Sequence, residues 1–197
     1  MNSTSIPIPE GIKGLIFDLD GTIIDSMPLH LDSYNHVVEP WGMTYPEDLF
    51  YSRAGVPIYD TMVMIRDENN LEDFDIESAI RQKDDFIQSN LDKIGVIDSV
   101  FEIIKLYHQK LPMAIGTGSN RSDVDKIMEH FSLDRYIESV VTANDVKNGK
   151  PHPETFLKCA ELIGINPKEC VVYEDGQNGI DAALAAGMQV VDITKHL

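Results

Sequence analysis

The stretch Gly11-Ile12-Lys13-Gly14-Leu15-Ile16-Phe17-Asp18-Leu19-Asp20-Gly21-Thr22 decides the fold. Ile12–Phe17 is a short apolar run led by Gly11 and closed by acidic residues, the pattern of a strand buried on both faces. Buried strands of this kind belong to parallel sheets covered by helices, so the unit is expected to recur along the chain, and from Met113 it does. Met113–Gly116 is strand-like, and Asn120 can cap a helix running to about His130. Val140–Thr142 is a strand that ends at Ala143-Asn144-Asp145. Pro153 leads into a helix over Glu154–Leu162 that stops at Gly164. Val171–Tyr173 is a strand, followed by a glycine-rich turn, a helix Gly179–Ala186 ended by Gly187, and a last strand Gln189–Val191.

Residues 28–94 have a different texture, with helical periodicity and little strand character. Tyr34, Val37, Val38 and Trp41 form one stripe, and Ile58, Met62 and Ile65 a second. Ile76, Ile80, Ile87, Leu91 and Ile94 form a third. Stripes of this kind pack most simply on each other as a small bundle. The predicted fold class is α/β: a Rossmann-like parallel sheet core, residues 11–27 and 95–197, carrying a small inserted α-helical domain, residues 28–94.

Composition narrows the function classes. Sixteen basic residues against thirty-three acidic ones give a net charge of −17, which argues against nucleic acid or an anionic membrane as partner. The same charge repels phosphate, so any phosphate site needs a local cation, a lysine or a helix N-terminus. The opening MNSTSIPIPEGIKG lacks a basic leader followed by an apolar stretch, and no run reaches the length of a membrane span. Cys159 and Cys170 lie in separate hydrophobic segments without partners at metal-ligand spacing, as reduced core cysteines of a cytoplasmic protein do. A monomer is the default expectation.

In an open parallel sheet, ligands bind beyond the carboxyl ends of the strands. Four such ends carry polar residues: Asp18-Leu19-Asp20-Gly21-Thr22, Thr117-Gly118-Ser119, Lys150 in Gly149-Lys150-Pro151, and Glu174-Asp175-Gly176. Each alone has a bland explanation, since Asp and Gly favour turns and a lone lysine is usually solvated. Crowded onto one rim, the carboxylates repel one another unless a cation joins them, and an all-oxygen set suits Mg²⁺. Thr117, backbone N–H groups near Gly118, and Lys150 can bind phosphoryl oxygens. A carboxylate such as Asp18 can act as nucleophile through an aspartyl-phosphate, and Asp20, two residues on, can exchange protons.

These residues resemble the four motifs of the haloacid dehalogenase superfamily in order and spacing, and the helical insertion resembles its small cap domain. The strings PMAIGTGS, GKPHPETF and YEDGQNGIDAALAAGM are similar to the β-phosphoglucomutase-like branch, within it to bacterial sugar phosphatases acting on fructose-1-phosphate and similar esters. The resemblance implies a phosphatase that uses Mg²⁺ and takes a small phosphorylated metabolite. It implies Asp18 as nucleophile and metal ligand, and Asp20 as acid–base catalyst that also binds metal through its backbone carbonyl. It implies phosphoryl binding by Thr117 and Lys150, and metal binding by Asp175 with Glu174, directly or through water. His30 falls where relatives place a cap histidine near the leaving group, although a helix-surface histidine beside Leu29 and Leu31 explains it equally well.

Two departures bear on the reaction. The mutase grips a second phosphate with a basic residue before the cap-loop glycine and an arginine three residues after it; here Gly55 follows Ala54 and the later position is Ile58. Hydrolysis is thereby favoured over the mutase reaction, which stays open because Arg53 and Arg121 could compensate. Gly176 stands where relatives usually carry serine, which puts one hydrogen bond beside the metal site in doubt. A phospho-accepting receiver domain, the alternative from another class, needs neither the helical insertion nor Gly-Lys-Pro followed by Glu-Asp.

Overall fold

The structure, a computed structural model, describes residues 6–53 and 56–197. It divides into two compact units, one built from the chain up to Asp25 together with Gly95–Leu197, the other from Ser26–Ile94.

The first unit is a five-stranded sheet in the order β3-β2-β1-β4-β5. Its strands are β1 (Gly14–Phe17), β2 (Met113–Gly116), β3 (Ser139–Val141), β4 (Cys170–Glu174) and β5 (Gln189–Asp192), and every pairing is parallel. β1, β2 and β4 are buried along their whole length, as continuous apolar runs covered on both faces must be. The first strand is shorter than its apolar run. Pairing with β4 begins at Gly14, opposite Cys170, where a side chain would press within 2.9 Å of Ile163.

The helices that cross between these strands include α6 (Arg121–His130), α7 (Glu154–Ile163) and α8 (Gln177–Ala185). Asn120 occupies the N-cap position of α6 without a side-chain capping bond; Asn144 from the turn after β3 instead accepts from the Arg121 N–H at 2.8 Å. α7 ends at Gly164, whose φ of 70° only glycine adopts at little cost. α8 starts two residues earlier than its alanine-rich pattern suggests, and Gly179 lies inside it. A further helix, α5 (Asp98–Tyr107), buries Val100, Ile103 and Ile104 at helical spacing.

The second unit holds α1 (Met27–Val38), α2 (Glu47–Ser52), α3 (Ile58–Glu68) and α4 (Ile76–Gln88). Tyr34, Val37, Val38, Tyr45, Phe50, Met62, Ile65, Phe74 and Ile76 share one core. Trp41 is not part of that buried face. Pro40 and Gly42 convert the chain after α1 into a single 3₁₀ turn, and Trp41 is 39% exposed with its ring tilted against Phe74. The third stripe is likewise broken, since α4 ends at Gln88 and Leu91–Lys93 is a separate 3₁₀ turn. Among the described residues no helix is long and apolar enough to cross a membrane.

Candidate active site

The strand order sets the site. From β1 the chain moves outward to β2 and β3, then returns to the other side of β1 as β4, so a crevice opens where the carboxyl ends of β1 and β4 meet. Phe17 pairs with Tyr173, and the Asp18 N–H donates to the Tyr173 carbonyl at 3.0 Å, which places Asp18 and Glu174 side by side at that switch point.

Lys150 bridges them. Its Nζ donates to Asp18 Oδ1 at 2.5 Å and to Glu174 Oε2 at 2.8 Å, with side-chain exposures of only 11%, 8% and 5%. Burial pushes the Asp18 carboxyl up to about 7, helped by the Glu174 charge and opposed by Lys150. Burial also raises Glu174. For Lys150 burial works against the charge, but the Asp18 and Glu174 carboxylates outweigh it and hold the ammonium firmly protonated.

Asp175 completes the acidic group. It accepts from the buried Thr22 hydroxyl at 2.8 Å, and burial followed by the Asp18 charge pushes it up to about 6. One carboxylate oxygen from each of Asp18, Glu174 and Asp175 lies within 4.8 Å of the other two. Two glycines make room for this cluster. A Cβ at Gly21, where φ is +83°, would sit 2.4 Å from Asp175 Oδ2, and one at Gly179 would sit 2.1 Å from the Glu174 carboxylate. Three converging carboxylates in a glycine-walled cradle fit a hard divalent cation such as Mg²⁺. The Gly176 N–H donates to Glu174 Oε1 at 3.0 Å, a backbone bond that needs no side chain at position 176.

The turn after β2 faces the same end of the sheet. Thr117 is buried, its N–H donates to the Val141 carbonyl at 3.0 Å, and its Oγ1 accepts from the Ser119 N–H at 3.0 Å, which leaves its own hydroxyl hydrogen available. Gly118 is exposed, with no atom within 4 Å of where a Cβ would stand. Ser119, to which the sequence alone gives no role, donates from Oγ to Asp20 Oδ2 at 2.6 Å. Asp20 is therefore tied to the Thr117 turn, and its carboxylate is not one of the three converging oxygens. Thr22 and Ser119 were legible as hydroxyls beside their motifs, but nothing in the sequence said which acid each would hold.

In the helical unit, His30 lies half-buried on α1, and its Nδ1 is 3.3 Å from Nζ of Lys83 on α4. Lys83 is itself 5% exposed, 5.2 Å from the centroid of the Tyr34 ring, and gave no sign in the sequence beyond an ordinary helical lysine. Gly55 and Ala54 lie outside the described residues. Arg53 pairs with Glu68 at 2.5 Å and reaches the Tyr45 hydroxyl; Arg121 pairs with Asp145 at 2.5 Å. A surface depression beside β3, lined by Arg121, Asp125, Glu129 and Arg135 among others, includes none of the acidic site residues.

A parallel α/β sheet with an acidic switch point and a lysine between two carboxylates has its charged side chains where open α/β sheets bind ligands. The chain belongs to the haloacid dehalogenase-like hydrolase family, whose model matches residues 15–193. It is 38% identical over 185 residues to the fructose-1-phosphate phosphatase YqaB of Escherichia coli, covering 93% of this chain and 97% of that one. It is 29% identical over 182 residues to a phosphorylated carbohydrates phosphatase of Thermotoga maritima, covering 90% and 83%. The crystal structure of a subfamily IA hydrolase of this superfamily from Geobacter sulfurreducens superposes with a TM-score of 0.70 at 26% identity, covering 91% of this chain and 86% of that one.

Proposed function

We propose that the protein is an Mg²⁺-dependent phosphatase of small phosphate monoesters, foremost a sugar phosphate such as fructose-1-phosphate, acting through an aspartyl-phosphate on Asp18. The observation that carries the proposal is Lys150 Nζ held between Asp18 and Glu174 beside the Asp175 carboxylate at the switch point of the sheet. The substrate class rests on the 38% identity to a fructose-1-phosphate phosphatase over nearly the whole of both chains.

Mg²⁺, held by Asp18, Glu174 and Asp175 with the Asp20 backbone carbonyl, would offset the repulsion among the carboxylates and the charge of the phosphoryl oxygens. An Asp18 oxygen attacks phosphorus while the phosphorus–oxygen bond to the leaving alcohol breaks, and Asp20 gives that alkoxide its proton. Asp20 then takes a proton from water as the water oxygen attacks phosphorus, which releases inorganic phosphate and restores the Asp18 carboxylate. The Thr117 hydroxyl, backbone N–H groups near Gly118, and the Lys150 ammonium bind the phosphoryl oxygens through both steps. The Ser119 hydroxyl orients the Asp20 carboxyl between its two proton transfers.

Water, rather than a second sugar hydroxyl, is the final acceptor in this reading. Arg53 and Arg121, which could have gripped a second phosphate, each hold an acidic partner in their own unit. Assay of the purified protein against fructose-1-phosphate, other sugar phosphates, phosphoglycolate and β-glucose-1-phosphate, with and without Mg²⁺, tests it. Release of phosphate only with Mg²⁺ is expected. Conversion of β-glucose-1-phosphate to glucose-6-phosphate would overturn the phosphatase assignment.

A further inference from the structure

Lys150 has a third neighbour besides its two carboxylates. Its Nζ stands over the ring of Phe156, 4.8 Å from the centroid. Phe156 is fully buried in the core shared by Ile16, Ala114 and Cys159. Gly116 lies so close to the ring that a Cβ there would be 3.1 Å from two ring carbons and 2.8 Å from Cys159 Sγ. β2 thus presses on Phe156 from one side, and Lys150 rests on the ring from another.

From this contact we infer that Phe156 is a positioning residue for Lys150, holding the ammonium in place by cation–π attraction. The inference rests on the phosphatase reading above for the use made of Lys150. A lysine has a flexible stem and a compact charge, so two acids alone leave its head free to follow whichever oxygen is more negative. Asp18 changes its charge and its partners during the proposed reaction, while Glu174 stays a carboxylate. The aromatic face offers negative potential that does not change, carries no net charge, and does not compete for a cation or a phosphoryl group. Leucine, somewhat smaller, would keep the position apolar without that attraction.

Fluorination separates the two roles, since each fluorine drains the ring face while leaving its shape nearly unchanged. Phenylalanine and its 4-fluoro, 3,5-difluoro and 3,4,5-trifluoro analogues are placed at position 156. Each protein is measured for kcat and KM on p-nitrophenyl phosphate, for inorganic phosphate affinity in Mg²⁺ buffer, and for melting temperature. kcat/KM and phosphate affinity should fall stepwise with fluorine count, by about 10-fold or more in the trifluoro protein, with each protein still folded at the assay temperature. Phe156→Leu should lose a similar factor. A flat series, or losses that do not follow fluorine count, would overturn the inference. If the phenylalanine protein hydrolyses no ester, the phosphatase reading fails, and the phosphate-affinity series still decides the role of the ring.

Discussion

Nζ of Lys150 lies 2.5 Å from Oδ1 of Asp18, although the two residues are 132 positions apart in the chain. The contact joins the end of the innermost strand to the segment that precedes α7, and Glu174 at the end of β4 closes the other side of the ammonium at 2.8 Å. An acidic protein of net charge −17 thereby places one buried cation where a phosphate dianion would arrive. In the proposed reaction the local field at the rim is set by this lysine and by the cation the three carboxylates would hold, not by the net charge of the chain.

Replacing Asp18 by asparagine removes the proposed nucleophile while keeping nearly the same shape. Turnover of p-nitrophenyl phosphate should fall by at least about 10³-fold, with far-UV circular dichroism unchanged. Retention of ordinary activity would sink the aspartyl-phosphate route.

Lys150→Met takes away the shared counter-charge and leaves Asp18 and Glu174 facing each other in a buried site. Breaking a buried pair from one side costs about 3 kcal/mol, or roughly 6–12 °C in melting temperature for a chain of this size. Calorimetry in chelator and in Mg²⁺ should show the deficit largest in chelator, because a divalent cation between the carboxylates takes over part of the same task. An equal deficit in both buffers would separate Lys150 from the acidic cluster.

Gly179→Ala tests the cradle without touching a charged group. The added methyl would start 2.1 Å from the Glu174 carboxylate, so either that side chain or the first turns of α8 must shift. Elsewhere on a helix the same exchange is stabilising by up to about 1 kcal/mol. Here the half-saturating Mg²⁺ concentration should rise by roughly 10-fold or more, since a ligand displaced by a fraction of an ångström loses much of its coordination. Titration of activity against Mg²⁺ measures it, and an unchanged midpoint would show that Glu174 does not hold the cation.

The sheet was readable because its inner strands are buried on both faces, which leaves uninterrupted apolar runs such as Leu15-Ile16-Phe17 and Val171-Val172-Tyr173. Strand ends were readable for the opposite reason, since Asp18, Thr117 and Glu174 break those runs. Trp41 was misassigned because apolar spacing alone does not register that Pro40 and Gly42 have already ended the helix. Lys83 could not have been found, as a buried lysine differs from a solvated one only in what the fold packs around it. The tie between Ser119 and Asp20 was hidden for a related reason, since it spans 99 positions and depends on how β2 lies against β1.

The acidic cluster also fixes how pH and metal act together. Asp18 is raised to about 7 and Asp175 to about 6, from 3.8 in both cases, so between those limits the folded protein binds more protons than the unfolded chain. Their contribution to stability is fully present below the unfolded values and is lost as pH rises through 6 and 7. In chelator, the melting temperature should therefore decline between about pH 5 and pH 7.5 at these two sites, and Asp175→Asn should flatten part of that decline. A divalent cation competes with those protons for the same oxygens, so the gain in melting temperature on adding Mg²⁺ should be small at pH 5 and grow toward pH 7.5. A gain that shrinks with rising pH would mean that Mg²⁺ binds somewhere other than Asp18, Glu174 and Asp175.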